Sequence, residues 1–541
     1  MPERKHVLHV AAENDALPGA KVGGIGDVVR DIAPALADLD CQVTVVIPSH
    51  GFLHRLPGAQ HQQQLGFFFR RAYHVADLYE VAENKAHPRV RQMVVHHPFL
   101  NAYDSERQQH RIYVHDPGDH PFYSDASRFA CFGMIVATAA VQGVWGMIDA
   151  IHLHDWHAAF VALLRRFDPF CRALHPIRTV FSIHNMALQG IRPLRDSDSS
   201  LEAWFPGLGY DWLEVSDPRW PDCCNLMACG IRLADRVHVV SPTYAEEICR
   251  PDNKPHAYGA EGLEAVTGHA RQQGLLSGII NGCSYPDDRR PPRMAFPELM
   301  QALKSEVLGW CGDYPNLPAQ HFLAVQRMTE LQGRPVPPST ILTSISRAVD
   351  QKLLILKSAA DEDLSALHAI MRMLDADGCY LLLASGDEAY HRFLTRAAAQ
   401  YPNLIFLNGY SERCAELLYA NGDLFLMPSS YEPCGISQML AMRDGQPCVA
   451  HAVGGLKDTI QHGRNGFLFE GDTLHAQVHA FLDQVAAALD MKRADPPAWE
   501  KIHRSAGQTR FEWIDSAGQY MRTLYGLTRS GLESSKSANC K

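Results

Sequence analysis

The chain has 541 residues, of which 46% are hydrophobic and 20% charged, and its formal net charge is -10 at pH 7. This length exceeds one ordinary hydrophobic core and predicts two large domains. The negative charge argues against a nucleic-acid partner, because phosphate backbones are bound by basic surfaces. No apolar run is long enough to cross a bilayer, and the first one is too short for a signal peptide, so we expect a cytoplasmic protein without a membrane partner.

Strands and amphipathic helices alternate along most of the chain. The sequence predicts strands at Val7 to Val10, Val43 to Ile47, Ala150 to Leu153, Thr179 to Ile183, Tyr380 to Ala384, Leu404 to Leu407, Leu424 to Met427 and Pro447 to Ala450. Helices are predicted between them, for example over residues 28–36 and 157–164. The alternation implies parallel sheets covered by helices on both faces, which is an α/β, doubly wound architecture.

Two proline-rich stretches, Tyr285 to Met294 and Arg334 to Ser339, place the domain boundary within 281–338. The expected parts, in order, are an N-terminal domain (1–280), a linker (281–338), a C-terminal domain (339–505), a C-terminal helix (506–529) and a disordered tail (530–541). Doubly wound domains bind ligands at the carboxyl ends of their strands, so we expect a cleft lined by those ends.

The loop after the first strand combines a lysine with three glycines, which have no side chain. It reads Lys21-Val-Gly23-Gly24-Ile-Gly26 and precedes a predicted helix. This combination is typical of a sugar or phosphate contact. The alternative is a solvated lysine in a glycine-rich turn, because the loop only loosely matches a dinucleotide fingerprint.

Three imidazoles, a carboxylate and an indole crowd the next strand end, in the sequence His152-Leu-His154-Asp155-Trp156-His157. A zinc site would need a further ligand with suitable spacing, and none follows, so we predict no metal. We expect a polar pocket in which His157 hydrogen-bonds a sugar and Trp156 packs the wall. Histidines satisfied within the core are the alternative, above all for His152.

A His-Asn pair, His184-Asn185, follows the strand that ends at Ile183, and Gln189 lies shortly after it. Such a pair at a strand's carboxyl end can recognise hydroxyl groups. Local capping by the Asn185 side chain is an equally reasonable alternative.

Two cations follow the first strand of the second half, in Ser346-Arg347…Gln351-Lys352. They could clamp a diphosphate leaving group and stabilise charge as a glycosidic bond breaks. An exposed helix face is the alternative, more for Lys352 than for Arg347. After the next two strands come Ser385-Gly386-Asp387 and Tyr410, and this tyrosine could stack on a nucleobase or cover the sheet end.

A single carboxylate, Glu432, lies in the loop after the strand Leu424 to Met427, and Gly435 then lets a helix begin. A glycine pair, Gly454-Gly455, precedes the next helix. Two consecutive strand–loop–helix units bring two helix N-termini near one point, which suits a phosphate-bearing ligand. Glu432 would hydrogen-bond sugar hydroxyls beside it.

Taken in order, these motifs resemble those of the bacterial glycogen synthase and plant starch synthase family across nearly the whole chain. The matching segments are Lys21 to Asp27, His154 to His157, Ser182 to Gly190, Val240 to Ala245, Gly278 to Gly282, Ser346 to Lys352, Ser385 to Asp387, Glu432 to Gln438 and Gly454 to Thr459. The stretch Phe511 to Tyr525 is similar to the family's closing helix, which crosses back to the N-domain.

The resemblance implies a GT-B fold, with two Rossmann-like domains facing a central cleft, and a retaining glucosyltransferase that needs no metal or cofactor. It implies transfer of glucose from ADP-glucose to the non-reducing end of an α-1,4-glucan, so nucleotide sugar and glucan are the expected partners. By position, Arg347 and Lys352 would stabilise the diphosphate, and Glu432 and His157 would line the glucose site. The residues implied to bind substrate are Lys21, Gly23, Gly24, Asp27, Asp155, His184, Asn185, Gln189, Asn281, Ser385, Gly386, Asp387, Tyr410, Cys434, Gly435, Gly454, Gly455 and Thr459.

Some positions depart from the family pattern. Ala228 stands where the family has a lysine, Ser284 where it has an aspartate, and Leu353 where it has a glycine. Two alternatives therefore stay open. One is a GT-B transferase that uses UDP-glucose or a small acceptor, and the other is a weakly active paralogue that binds glucan or nucleotide sugar.

Overall fold

The computed structural model describes residues 4–82, 87–104, 108–114, 116–118, 120–285, 293–312, 317–361, 364–374 and 377–527. The chain forms two compact units. The first unit is Met1–Asp252, Gly259–Ser284 and Glu512–Lys541, and the second is Asn253–Tyr258 and Tyr285–Phe511. The tail predicted to be disordered, 530–541, lies outside the described residues.

The first unit is built around one large sheet. The strands of this unit are β1 (His6–Val10), β2 (Gln42–Pro48), β3 (Ala59–Phe69), β4 (Ala72–Val81), β5 (Val90–His96), β6 (Tyr103–Asp104), β7 (Gln109–His110), β8 (Ala150–His154), β9 (Arg178–Ile183), β10 (Ile191–Pro193), β11 (Cys223–Asn225), β12 (Arg236–Val239) and β13 (Leu276–Gly278). Two pairs, β6 with β7 and β10 with β11, lie outside the large sheet. Within the described residues the sheet order is β13-β12-β9-β8-β1-β2-β5-β4-β3. Pairing is parallel from β13 to β5 and antiparallel from β5 to β3.

The antiparallel edge adds to the parallel arrangement that the sequence predicts. Only Arg70 and Arg71 join β3 to β4, with φ angles of 50° and 63°. Two consecutive positive φ angles are the hallmark of the type I′ turn, whose twist matches that of antiparallel strands. A two-residue connection leaves no room for a crossover helix, so the two strands must pair side by side in opposite directions.

Helices cover the first sheet, and a C-terminal segment completes its core. The α-helices are Gly24–Asp38, Tyr123–Val141, Asp155–Phe167, Leu201–Trp204, Trp212–Val215, Leu226–Leu233, Pro242–Glu247, Glu264–Gln272 and Trp513–Gln519, and the last continues as a π-helical turn, Tyr520–Tyr525. Trp513, Tyr520 and Leu524 share one hydrophobic cluster with Val29 and Ile32 of the first helix. Gly526, with a φ of 66°, ends the segment, as glycine commonly does at a helix C-terminus.

The second unit has a parallel sheet. The strands of this unit are β14 (Thr340–Ala348), β15 (Ala359–Asp361), β16 (Leu364–Ser365), β17 (Gly378–Gly386), β18 (Leu404–Leu407), β19 (Leu424–Met427), β20 (Cys448–His451) and β21 (Gly466–Phe469). All of them except β15 and β16, which form a separate antiparallel pair, belong to the parallel sheet. The order is β18-β17-β14-β19-β20-β21, with every pair parallel within the described residues. The helices are Phe296–Cys311, Ala319–Gln332, Asp350–Lys357, Ala366–Leu374, Glu388–Gln400, Glu412–Asn421, Ser437–Arg443, Gly454–Thr459, Leu474–Ala494 and Pro496–Gln508.

Alternate residues of the second sheet face opposite hydrophobic clusters. Leu382 and Phe406 pack in one cluster with Phe481, while Leu381 and Ile405 pack in another with Leu299. The period of two is that of a strand with both faces buried, which explains why these strands are continuous apolar runs. None of the described helices combines the length and the apolar character needed to cross a bilayer.

Candidate functional site

In each unit the strand order reverses beside the first strand of the sheet. In the first unit the chain leaves β1 towards β2 and later returns to its other side with β8. In the second unit it leaves β14 towards β17 and returns with β19. Open α/β sheets bind ligands outside the carboxyl ends of the strands at such switch points. Half of the site residues predicted from the sequence lie at or just after the carboxyl ends of β1, β8, β14 and β19.

In the first unit, Glu13 organises the glycine-rich loop after β1. Its carboxylate accepts hydrogen bonds from the backbone N–H groups of Val22 (2.6 Å) and Gly23 (2.7 Å) and from the Tyr113 hydroxyl (2.6 Å). Glu13 is only 2% exposed. Glu13 was not predicted from the sequence, because a single glutamate in a loop carries no pattern of its own. The loop N–H groups that an anion could approach are thus partly used by an internal carboxylate.

Lys21 is not a solvated lysine, because two carboxylates hold its ammonium group. Its Nζ lies 2.6 Å from Asp27 and 3.3 Å from Asp15, and its side chain is 28% exposed. Burial raises the pKa of Asp27, while the nearby Lys21 charge acts in the opposite direction. A phosphate or sugar that reaches Lys21 must therefore share it with these carboxylates.

Asp155 ties the ends of β8 and β9 together. Its carboxylate accepts the His184 N–H at 2.7 Å, and burial raises its pKa to about 8 against the effect of the His184 and Asn185 N–H groups. Asp155 has a φ of 55°, a strained conformation for a non-glycine residue that commonly marks functional positions. The Asn185 Oδ1 accepts the Ala187 N–H at 2.9 Å, so the local capping considered as an alternative is present.

His157 is enclosed by aromatic rings. It is 5% exposed, with ring centroids 4.2 Å from Trp156, 4.7 Å from Phe129 and 5.3 Å from Tyr113. Burial lowers its pKa to about 3, so the ring is neutral at pH 7. Its Nδ1 is buried and makes no hydrogen bond within the described residues. The predicted sugar contact of His157 stays a prediction, which an unsatisfied ring nitrogen favours.

Gln189 uses all of its hydrogen-bonding capacity inside the first unit. Its Nε2 donates to the carbonyl oxygens of Met186 (3.2 Å) and Glu261 (3.1 Å), and its Oε1 accepts from Arg219 and Asn225, both at 2.7 Å. These contacts favour a supporting role over direct substrate binding. Asn281, by contrast, is 4% exposed and its Oδ1 has no hydrogen-bond partner within the described part of the chain.

Three buried histidines come close enough together to raise the question of a metal site. One ring nitrogen from each of His9, His152 and His154 lies within 4.8 Å of the others. However, the rings of His152 and His154 are stacked with an interplanar angle of 9°, and His9 Nδ1 is hydrogen-bonded to His154 Nε2 at 2.9 Å. A metal ion lies in line with each nitrogen lone pair at about 2.0–2.1 Å, and parallel stacked rings do not point their lone pairs at one position.

In the second unit, Lys352 and Glu432 form a direct ion pair at the β14–β19 switch point. Their side chains are 13% and 8% exposed, so the pair is largely shielded from water. Glu432 also accepts a hydrogen bond from the Ser429 hydroxyl at 3.2 Å. Lys352 was predicted to contact a diphosphate and Glu432 a sugar, and in the structure these two side chains lie against each other.

Arg347 lies at the end of β14 and is exposed, with its Nη2 3.0 Å from Gln351 Oε1. Gln351 in turn connects the loops after β14 and β19. Its carbonyl oxygen accepts the Ser430 N–H (2.8 Å), and its Nε2 donates to the Tyr431 carbonyl oxygen (3.2 Å). Gln351 was part of a recognised motif but had no predicted role, and the contacts identify it as the link between the two loops.

The glycine pair after β20 allows two loops to touch. A Cβ on Gly454 would lie 1.9 Å from the Glu432 carbonyl oxygen, and one on Gly455 would lie 2.2 Å from that of Cys434. The Gly455 N–H donates to the Glu432 carbonyl oxygen at 3.1 Å. Two helix N-termini were expected to suit a phosphate-bearing ligand here, but the Gly455 N–H is not available to one, because the preceding loop occupies that donor.

A buried glutamine fastens the same loops. Gln438, which is 0% exposed, donates from Nε2 to the carbonyl oxygens of Cys434 (3.1 Å) and Gly435 (3.0 Å) and contacts Thr459 Oγ1 at 3.2 Å. Gly435 has a φ of 76°, which favours glycine. Cys434, Gly435 and Thr459 thus meet around one side chain, and their contacts with substrate stay predictions.

The ends of β17 and β18 present exposed groups. Arg347 and Ser385 are register partners on β14 and β17, and Ser385 to Asp387 are exposed. Gly386 has a φ of 155°, and a Cβ added to it would lie 2.7 Å from the Ala348 carbonyl oxygen. Tyr410 is 68% exposed. Ser385 to Asp387 therefore lie at the end of the strand next to Arg347, and Tyr410 follows β18, one strand further from β14. Their contacts with substrate stay predictions.

Comparison with known proteins gives matches over both units. The starch synthase catalytic domain family matches residues 6–268, and the family of glycosyl transferases group 1 matches residues 360–490. A glycogen synthase of Streptococcus equi subsp. equi is 30% identical over 526 residues, which cover 95% of this chain and 98% of the relative. A glycogen synthase of Desulfitobacterium hafniense is 30% identical over 528 residues, or 95% and 97% of the two chains.

Two solved structures share the fold. The catalytic domain of starch synthase IV from Arabidopsis thaliana, bound to ADP and acarbose, has a TM-score of 0.72 and 25% identity, covering 97% of this chain and 99% of that one. A sucrose-phosphate synthase from Thermosynechococcus elongatus has a TM-score of 0.53 and 16% identity, covering 97% and 100%. Since the sequence relatives extend over nearly the full length of both chains, the chain belongs to the glycogen synthase family and has the GT-B glycosyltransferase fold.

Proposed function

We propose that the protein transfers glucose from ADP-glucose to the non-reducing end of an α-1,4-glucan, with retention of configuration and without a metal ion. The observation that carries this proposal is the buried Lys352–Glu432 pair beside Arg347 at the β14–β19 switch point. The starch synthase with similar structure is bound to ADP and acarbose, which supports a nucleotide donor and a saccharide acceptor. We infer that 339–505 serves the nucleotide sugar and 1–280 the acceptor.

The ion pair is the resting state of the proposed donor site. Two buried charges are tolerated when each compensates the other, and separating them is costly. An incoming diphosphate offers Lys352 a second anion, and the sugar hydroxyls offer Glu432 hydrogen-bond donors. Donor binding therefore replaces one ion pair by two new contacts, so that neither charge is left without compensation.

The reaction follows from this arrangement. The bond between glucose C1 and the donor phosphate oxygen breaks, and C1 bonds to the 4-oxygen of the acceptor on the same face. The acceptor's proton passes to the departing phosphate, whose developing charge is stabilised by Arg347 and Lys352. Retaining hydrolases instead use two carboxylates about 5–5.5 Å apart. Here the group paired with Glu432 is a lysine, which fits phosphate departure.

In the first unit, we propose that His157, His184 and Asn281 contact sugar hydroxyls. His157 and Asn281 each hold a buried polar atom without a hydrogen-bond partner within the described residues. Lys21 and Asp27 would take part as an ion-paired group, and Gln189 would support the loop that carries His184 and Asn185.

The departures from the family are largely internal. Ala228 is 0% exposed and Leu353 is 2% exposed, so both fill the hydrophobic core at positions where the family has a lysine and a glycine. Ser284 is exposed. These positions support the alternatives of a shifted donor, a small acceptor or a weakly active paralogue, and the test of function has to separate them.

The test is incorporation of label into glycogen from ADP-[14C]glucose or UDP-[14C]glucose by the purified protein. We expect polymer label from ADP-glucose, and a loss of at least about 100-fold for Arg347→Ala. Arg413→Ala is the matched control, because Arg413 is an exposed arginine of the same unit, paired only with Glu416 by an ion pair of 3.6 Å within the described residues. Label from UDP-glucose alone would establish the donor alternative. No label from either donor would refute the synthase proposal.

A further inference from the structure

A continuous series of buried hydrogen bonds runs through the first unit. The first three links join His184 Nε2 to His154 Nδ1 (2.9 Å), His154 Nε2 to His9 Nδ1 (2.9 Å) and His9 Nε2 to the Tyr525 hydroxyl (3.5 Å). The next two join that hydroxyl to His152 Nδ1 (2.7 Å) and His152 Nε2 to Ser182 Oγ (2.5 Å). The last two join Ser182 Oγ to His238 Nδ1 (2.7 Å) and His238 Nε2 to the Ile279 carbonyl oxygen (3.4 Å). We call these seven side chains the imidazole chain; in hydrogen-bonding order they are His184, His154, His9, Tyr525, His152, Ser182 and His238.

Strand register assembles the imidazole chain. His9 on β1 is the register partner of His152 on β8, and Ser182 on β9 is the partner of both His154 on β8 and His238 on β12. Residues that pair across neighbouring strands point to the same face, so the four strands bring these polar groups together. Tyr525 enters from the C-terminal segment and joins His9 to His152.

The Ile279 end sets the direction of every link. A carbonyl oxygen can only accept, so His238 must donate from Nε2 and accept at Nδ1. Ser182 then donates to His238 and accepts from His152 Nε2, which leaves His152 Nδ1 to accept from Tyr525. The Tyr525 oxygen accepts from His9 Nε2. The same reasoning continues through His154 and ends at His184, which donates from Nε2.

The assignment requires each ring to carry one proton, and burial ensures this. Burial lowers the pKa of His9 and His184 to about 3 and that of His238 to about 4, and it lowers the pKa of His152 and His154 well below the ordinary value of 6.5. At neutral pH every ring is therefore neutral and has one donor and one acceptor nitrogen.

We propose that the imidazole chain fixes the tautomer of His184, so that its Nδ1 is held as a hydrogen-bond acceptor at the carboxyl end of β9. His184 is partly exposed, and its Nδ1 makes no hydrogen bond within the described residues. Insofar as the group bound there is a sugar hydroxyl, the inference rests on the proposed function. Tyr525 and Ser182 are then positioning residues that act on substrate through His184.

The direction of the hydrogen bonds along the imidazole chain depends on two hydroxyl groups, each of which donates one hydrogen bond and accepts another. Replacing Tyr525 by phenylalanine leaves the His9 Nε2–H without its acceptor. His9 can then carry its proton on Nδ1 and donate to His154, and His154 can donate to His184. In that reversed state His184 holds its proton on Nδ1, so the same atom presents a donor to the substrate. Ser182→Ala cuts the chain at a second place and permits the same reversal.

The experiment is nitrogen NMR of the ligand-free protein with 15N-labelled histidine, in which two-bond couplings distinguish protonated from unprotonated ring nitrogens. A His184→Gln variant assigns the His184 signals. We expect an unprotonated Nδ1 in the native protein and a shift of Nδ1 towards the protonated value in both Tyr525→Phe and Ser182→Ala. Tyr380→Phe is the matched control, because it removes another fully buried hydroxyl, 2.7 Å from Ser344 in the second unit.

Glucosyl transfer is the second readout. We expect Tyr525→Phe to lower kcat about tenfold, the effect of losing one hydrogen bond in the transition state, with kcat of Tyr380→Phe unchanged. An Nδ1-protonated His184 in the native protein, or an unchanged His184 tautomer in both cutting variants, would overturn the inference. Stoichiometric zinc bound by His9 and His154 would overturn it as well. If the tautomer shifts as expected but the native protein transfers no glucose, the proposed function fails and the imidazole chain stands.

Discussion

Mild acid should unfold the first unit, because its interior is rich in neutral histidines. Burial is the first cause of a lowered pKa for eleven of them, namely His6, His9, His50, His54, His96, His97, His152, His154, His157, His184 and His238. When the unit unfolds, each ring regains its ordinary pKa of 6.5. In the folded unit the pKa values of seven of these histidines are about 4 or lower. Between these values and pH 6.5 the unfolded state binds more protons than the folded state. Stability that is present above pH 6.5 is therefore lost as the pH falls.

Three carboxyl groups of the first unit act in the opposite sense, because burial raises the pKa of Asp27, Asp125 and Asp155. The pKa of Asp155 is raised from 3.8 to about 8, so between these values the folded state holds a proton that the unfolded state lacks. Its contribution is fully present below pH 3.8 and is lost as the pH rises through 8. Near pH 5 each of the nine histidines other than His6 and His96 takes up about one proton on unfolding, and each of the three carboxyl groups releases at most about one. The net uptake is therefore at least about six protons, which corresponds to a loss of about 8 kcal/mol per pH unit. A stability of about 5–15 kcal/mol is exhausted within about two units of pH 6.5.

The assay is urea unfolding at a series of pH values and constant ionic strength, followed by tryptophan fluorescence. Six of the eight tryptophans, Trp145, Trp156, Trp204, Trp212, Trp220 and Trp513, belong to the first unit and report on it. The slope of unfolding free energy against pH counts the protons directly, and His238→Asn should reduce that slope by about 1.4 kcal/mol per pH unit. A native slope below about 3 kcal/mol per pH unit between pH 6 and 5 would refute the assignment of these histidines as buried and neutral.

Two further predictions concern the second unit. Lys352→Met should cost about 3 kcal/mol in urea unfolding, because it leaves the Glu432 charge buried, and adding Glu432→Gln should recover much of that loss without restoring activity. Equal stability of the single variant and the native protein would contradict a shielded pair. Gly455→Ala should destabilise the protein by more than about 2 kcal/mol, because the added Cβ would lie 2.2 Å from the Cys434 carbonyl oxygen. Gly309→Ala is the control: it lies within a helix, a Cβ there would meet nothing within 4 Å, and the change should stabilise the protein by about 0.5–1 kcal/mol. Similar thermal shifts for the two alanine variants would refute the packing argument.

The strands were predictable where local composition decides them. Leu404 to Leu407 and Leu424 to Met427 have the predicted bounds, since each is a continuous apolar run flanked by prolines, glycines or polar residues. The β3–β4 hairpin was not predicted, because its turn at Arg70-Arg71 adopts positive φ without glycine or asparagine. Turn chemistry of this kind depends on tertiary packing, which the sequence does not display.

The candidate site was predictable by position but not by contact. A residue such as Glu432 follows a strand and so must lie at a sheet edge, which sequence pattern reveals. Its pairing with Lys352, 80 residues away, depends on strand order. The same holds for Glu13, and for Tyr525 and His238 in the imidazole chain. Each is an ordinary residue in its own segment, and only register and topology bring it to its partners.

The C-terminal segment in the core of the first unit has a consequence for synthesis of the chain. Trp513, Tyr520 and Leu524 belong to the same hydrophobic cluster as the helix Gly24–Asp38, so the first unit lacks part of its core until residue 527 is made. All residues of the second unit precede Glu512. Domains commonly fold from the N-terminus as they leave the ribosome. In this chain the core of the first-made unit cannot be completed until the second unit has been made, so apolar surface of the helix Gly24–Asp38 stays uncovered during synthesis.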